Sequence, residues 1–160
     1  MDEARGQWVI ALSFSVAYFL AIYPLPRWAE WARPEWVALV LIYWAIALPQ
    51  RVGIGAAFVA GLLLDVFEGA VLGQNALSLS VLAWFSLLFH QRLRALNLWQ
   101  QALSVFLMLG VHQILCQWIQ NMAGAGAPDL WFLVSAVSGA ALWPGVLLVL
   151  RHQRRTYHVQ

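Results

Sequence analysis

The sequence predicts an all-α polytopic membrane protein with six transmembrane helices, and three observations carry that prediction. Of the 160 residues, 62% are hydrophobic and 10% charged, whereas soluble domains carry about 45–50% apolar and about 25% charged residues. A water-soluble fold of this composition would expose apolar surface far beyond what monomers carry. The apolar residues gather into six runs suited to helices, without the apolar–polar alternation of a membrane strand. The nine basic residues, all arginine, are shared very unequally between the two ends of those runs. The length suits one domain, spanning 1–160.

A transmembrane helix needs about 20 mostly apolar residues. The first run, about 7–25, starts near Trp8 and is closed by Pro24-Leu25-Pro26; it lacks a small-residue cleavage pattern and is expected to be a retained span. The second, about 34–48, is opened by Pro34 and stopped by Pro49, as proline at a first helical position and beyond a helix end would do. The third covers about 52–67, the fourth 70–90, the fifth 98–122 and the sixth 129–150. The second and third are short for a bilayer, so they tilt little, thin it locally or pack inside the bundle.

Six spans put both termini on one side. That side holds Arg5, Arg51, Arg92, Arg94, Arg151, Arg154 and Arg155, against Arg27 and Arg33 opposite. The positive-inside rule makes the arginine-rich side cytoplasmic. Glu30, Glu35, Glu68, Asp129 and Asp65 fall toward the other side. Trp8, Trp28, Trp31, Trp36, Trp99 and Trp131 lie near run ends, as an interfacial belt requires. Trp44, Trp84, Trp118 and Trp143 fall inside runs and are expected to pack. The single Cys116 allows no internal disulfide and reads as a small buried hydrophobe. A net charge of +2 makes no case for nucleic acid.

Within the third run, every fourth residue is small except one: Gly53, Ala57, Gly61, Asp65, Gly69, Gly73. Residues four apart share a helix face, and a small-residue stripe admits a close neighbouring backbone. Gly69 and Gly73 lie at the break before the fourth run and can be loop residues. Asp65 shares the packed face. A carboxylate at membrane depth marks a candidate functional position; alternatively it caps the turn, accepting from N–H groups that open the next helix near Gly73, Gln74 and Asn75. Glu68 is expected on the loop and solvated.

Gln113, Gln117 and Gln120 follow i, i+4, i+7 and form one polar stripe on the fifth run. Amides avoid lipid, so the stripe either bonds to neighbouring helices or lines a small pocket. His112 has no second ligand at metal spacing and carries little weight as a ligand. Two small-residue patches suit docking of a partner helix: the Gly53–Gly61 face, and Ser135, Ser138, Gly139 with Ala140 on the sixth run. There is no HExxH, GxSxG or phosphate-binding glycine loop. No cofactor or metal site is expected, and an intramembrane enzyme is disfavoured.

The segment RVGIGAAFVAGLLLDVFEGAVLGQNAL, residues 51–77, resembles the signature region of the rod shape-determining MreD family: glycines before a G-L-x-x-D-like segment, a turn, then an L-G-x-x-A-L-like segment. Gly53, Gly61, Asp65, Leu72, Gly73, Ala76 and Leu77 carry the match. The resemblance implies a multi-pass protein of the bacterial inner membrane. It implies work in the cell-elongation machinery with bitopic MreC, actin-like MreB, the polymerase RodA and its transpeptidase partner. It also implies a helix arrangement like that of the substrate-binding subunits of energy-coupling-factor transporters. It brings no catalytic residues. The expected function is a non-enzymatic scaffold coupling MreB filaments and MreC to peptidoglycan synthesis. The alternative is a small-molecule binding subunit of a membrane transporter.

Overall fold

The structure, a computed structural model, describes residues 2–126 and 130–159, with side chains from residue 6 onward. Asp129, and with it the start expected for the sixth run, lies outside the described residues. Among those residues every regular element is a helix, and there is no strand. The helices are α1 (Asp2–Ile22), α2 (Arg27–Glu30), α3 (Trp36–Ala47), α4 (Ile54–Glu68), α5 (Gln74–Ala95), α6 (Leu98–Met122) and α7 (Phe132–Thr156). Each of the six apolar runs holds a helix of twelve residues or more, and α2 is an extra turn in the connection between the first two.

α3 is the axis of the bundle. It is apolar all round, the pattern of a helix with no solvent face. Leu39, Leu41, Ile42, Trp44 and Ala45 are wholly buried. α1, α5 and α7 pack around it; α4 lies against α5, and α6 joins α5 to α7. Two polar contacts inside link neighbouring helices, as suits groups that water cannot reach. The Trp44 indole donates to Ser13 Oγ at 2.8 Å, and the Tyr18 hydroxyl donates to the Ala60 carbonyl at 2.6 Å.

The outer surface is apolar. Phe19, Val66, Leu103 and Leu107 are all at least 60% exposed. α5, α6 and α7 are each long and apolar enough to cross a membrane. Trp44 and Trp143 pack inside as expected, but Trp84 and Trp118 do not: both are exposed on the outer surface. Lipid accepts an aromatic ring where water would expel it, so position inside an apolar run does not decide burial.

α5 and α7 run past the ends expected for them, to Ala95 and Thr156. Arginines in a last turn complement the helix dipole, and Arg92, Arg94, Arg154 and Arg155 occupy those turns. The chain after α7 folds back: Val159 N–H donates to the Arg154 carbonyl, and Val159 is buried beside Gly6. Trp8 and Tyr157 meet edge to face, so the two ends of the chain lie together.

Candidate functional site

α4 and α5 meet backbone to backbone, and Gly61 is the reason. A Cβ there would lie 2.4 Å from Ala76 Cα and 2.5 Å from Asn75 O. No side chain fits without moving α5. One turn further along the same face, Asp65 is 1% exposed. Its Oδ2 accepts from the Gly73 N–H at 2.9 Å and from the Ala76 N–H at 3.4 Å, while Oδ1 accepts from the Asn75 N–H at 2.9 Å. The carboxylate therefore supplies the side-chain cap of α5 from the preceding helix. The connection is set by two glycines in the left-handed region, Gly69 at φ 64° and Gly73 at φ 96°, where other residues are strained. The Ala70 N–H reaches back to the Asp65 carbonyl at 3.0 Å and closes α4.

The cap opens into a larger buried polar cluster. Asn75 is 4% exposed; its side-chain amide donates to Glu68 Oε2 at 3.3 Å, and its Oδ1 accepts from Cys116 Sγ at 3.6 Å. Glu68 ends α4 and, although exposed, is bonded rather than merely solvated. Ser78 Oγ lies 3.2 Å from Cys116 Sγ. Cys116 Sγ is 3.9 Å from His112 Nε2, and the same nitrogen is 3.5 Å from Glu35 Oε2. Gln113 donates to Glu35 Oε1. Residues from four elements thus converge: the residue before α3, the end of α4, the start of α5 and the middle of α6.

The lengths of α3 and α6 explain the convergence. At 1.5 Å per residue, the 12 residues of α3 span about 18 Å and the 25 of α6 about 37 Å. Glu35 therefore reaches His112 and Gln113 midway along α6. The far half of α6 rises beyond, and a recess of about 270 Å³ forms beside Glu35, Gln113, Arg33, Trp31, Trp131 and Ser135. Trp31 and Trp131 stack at 4.8 Å across it.

The remaining sequence candidates have definite places. Gly53 precedes α4 with open space around it. Gln74 is buried, with its Oε1 unpartnered. Gln113, Gln117 and Gln120 are half-buried along one side of α6. Ser135 Oγ donates to the Arg33 carbonyl at 2.6 Å and Ser138 Oγ to the Ser135 carbonyl at 2.9 Å. Gly139 faces Leu109 Cδ1, which an added Cβ would approach to 2.7 Å.

The match to known families is specific. The family described as rod shape-determining protein MreD matches residues 3–153. The chain belongs to the MreD family. A rod shape-determining protein MreD from Haemophilus influenzae is 35% identical over 150 residues, covering 93% of each chain. No solved structure matches. Membership supports a role in cell shape, and the match runs well beyond the 51–77 segment that carries the resemblance in the sequence.

Within this family member the chemistry of the cluster is limited by its geometry. A thiol nucleophile needs a base at one imidazole nitrogen and an orienting group at the other. Here Cys116 and Glu35 both address Nε2, and Nδ1 is buried without a partner. The three do not form such a relay. No three His, Cys, Asp or Glu side chains among the described residues are placed to hold a metal ion. The cluster's evident work is cohesion. It ties α3, α4, α5 and α6 through polar contacts that lipid cannot replace. Sequence reasoning missed Glu35 and gave His112 little weight. The Glu35–His112 contact leaves no periodic signal, because it joins residues far apart in the chain.

Proposed function

We propose that this protein is a non-enzymatic scaffold of the rod-shape machinery in the bacterial inner membrane. α1 and α3 to α7 serve as six spans, and both termini face the cytoplasm. The observation that carries the reading is a shape: an open, almost wholly apolar groove along the helix axes. It lies between α1, α3 and α7, has a volume of about 360 Å³, and is walled by Leu12, Val16, Leu20, Val40, Val146 and Val149. Gly145 lowers one wall. An apolar groove along helix axes, floored in part by a small residue, suits one added helix. The occupant proposed is the single transmembrane helix of an MreC-type bitopic partner, with MreB, RodA and its transpeptidase engaged in the same assembly. The groove is preferred over the Ser135–Ser138–Gly139 patch because Leu109 already fills the space at Gly139.

The test has two parts. Loss of the protein from its rod-shaped host gives round, swelling cells, and its return restores rods. The protein co-purifies with the bitopic partner in mild detergent, and Val16→Trp with Gly145→Leu abolishes that recovery while the protein still accumulates. Unchanged recovery from the double variant refutes the groove.

A second reading rests on the recess beside Arg33, Glu35 and Gln113. A half-open polar site at the end away from the termini suits a small-molecule binding subunit, as in energy-coupling-factor transporters. Rods that persist without the protein while uptake of a vitamin-like solute fails would favour that reading.

A further inference from the structure

The opposite end of the bundle holds a second cavity, and its chemistry is different. α7 does not stop with its apolar run but continues through Arg151, Arg154 and Arg155. Spacings of i, i+3 and i+4 place the three guanidinium groups on one face. With Arg94 from the end of α5 they line a cavity of about 340 Å³ between α3, α5, α6 and α7. Ile46, Trp143 and Leu147 form its apolar wall.

Tyr43 also lines this cavity. It is 5% exposed, and its hydroxyl has no hydrogen-bond partner. The Arg154 side chain lies against that hydroxyl without a bond of normal geometry. A buried phenol lacking an acceptor is an exception that calls for an explanation. Arg94 is already engaged: its Nε and Nη2 donate to the Ile46 and Ala47 carbonyls at 2.8 and 2.6 Å. It covers the carbonyl end of α3, which would otherwise repel an anion. The other polar wall is also satisfied, since Gln101 donates to the Leu93 carbonyl at 2.9 Å and accepts from the Trp143 indole at 3.4 Å. What remains open is a set of donors: three guanidinium groups and one phenol. Glu30, Glu35, Asp65 and Glu68, the acids with described side chains, all belong to the opposite end.

We propose that this cavity binds the phosphate group of an anionic glycerophospholipid. The arginines and the Tyr43 hydroxyl supply donors for the phosphate oxygens. The wall of Ile46, Trp143 and Leu147 receives the apolar part of the molecule. A free phosphate would use the donors and leave that wall empty. Basic pockets between transmembrane helices on the cytoplasmic side have the right position for lipid headgroups. Placement in the inner leaflet rests on the six-span reading above. If the two ends of α6 prove to share one side, the leaflet assignment fails while the phosphate site stays measurable.

The test uses the full-length protein, purified in mild detergent and supplied with phosphatidylglycerol, phosphatidylcholine or inorganic phosphate. Retained lipid is read by native mass spectrometry and protection by thermal unfolding. The parent protein should retain phosphatidylglycerol over phosphatidylcholine. Arg151→Gln with Arg154→Gln should weaken that retention about 10- to 100-fold, the scale of one or two lost charge-assisted hydrogen bonds. Tyr43→Phe keeps the ring and removes the donor, and should weaken it several-fold. Arg27→Gln with Arg92→Gln removes the same charge away from the cavity and should change little. Equal losses in the two double variants would overturn the proposal, since bulk charge would then explain binding. Equal retention of phosphatidylcholine, or equal protection by inorganic phosphate alone, would overturn the lipid assignment.

Discussion

Asp65 offers the sharpest test of how this bundle holds together. Its carboxylate makes two bonds of 2.9 Å and one of 3.4 Å to the N–H groups that open α5. Asp65→Leu leaves all three donors without that acceptor. Bonds to a charged group contribute about 1.5–3 kcal/mol each, and measured losses of a whole N-cap are about 0.5–2 kcal/mol. The long third bond adds little, and the unfolded chain in a micelle finds other partners, so the expected loss is about 2–4 kcal/mol. Asp65→Asn keeps one acceptor, enough for the Asn75 N–H, but turns an amide donor toward the Gly73 N–H. Its expected loss is about 1–2 kcal/mol. For a chain of this size 1 kcal/mol moves the midpoint by about 2–4 °C. Thermal unfolding of purified protein in one detergent should therefore order parent, Asn and Leu at intervals of several degrees. Asp65→Glu keeps the charge and lengthens the arm, so it should fall with Asn rather than with the parent. Full recovery in Glu would mean that charge alone matters. Equal midpoints for Asn and Leu would refute the cap as the source of stability.

Other perturbations follow from the same packing. Gly61→Ala should lower the midpoint by an amount of the overpacking scale, about 1–3 kcal/mol, because its Cβ meets the Ala76 backbone at 2.4 Å. Gly55→Ala on the same helix has nothing within 4 Å and should hold or raise stability by about 0.5–1 kcal/mol from helix propensity; reversal of that order in thermal unfolding would refute the packing. Cys116 is buried, so a maleimide should modify the native protein slowly and the unfolded protein fast, and rapid native labelling would contradict the closed cluster. In a Cys116→Ser background, Gln91→Cys sits in the last turns of α5, near the start of α6, and Ala125→Cys sits just past the end of α6. They should label from opposite sides of the membrane, and labelling from one side would reject the six-span reading.

Much of the bundle was legible where local pattern decides it. The all-round apolarity of 34–48 is the pattern of a helix inside a bundle, and α3 lies there. Asp65 stood out because a carboxylate is conspicuous in an apolar run. The four-residue stripe of small residues set it on a packed face, and its hydrogen-bond partners lie within eleven residues. The sequence left two roles open for it, and the capping bonds are present. Glu35 was not legible as a partner of His112, since helix packing alone joins them. The four-residue α2 is too short for any periodicity. Arg151, Arg154 and Arg155 fell outside the sixth run, because hydropathy marks where a helix leaves an apolar medium and not where it ends.

The choice of residues at 61–73 follows from the shortness of α4. From Ile54 to Glu68 the helix rises only about 21 Å, so in the six-span reading the chain turns back before it has crossed the hydrocarbon. α5 must then begin inside the membrane, with its first N–H groups unpaired. Water cannot serve them there. The ordinary solution is a Ser, Asp or Asn at the N-cap position itself. That position is Gly73 at φ 96°, in the left-handed region glycine favours. The cap must come from elsewhere, and Gly61 lets α5 approach closely enough for a side chain of α4 to supply it. A shorter side chain at 65 would not reach, and a neutral apolar one would leave the donors bare. The carboxylate in the oily run and the glycines around it are therefore one device: a helix start, at membrane depth in the six-span reading, capped by its neighbour.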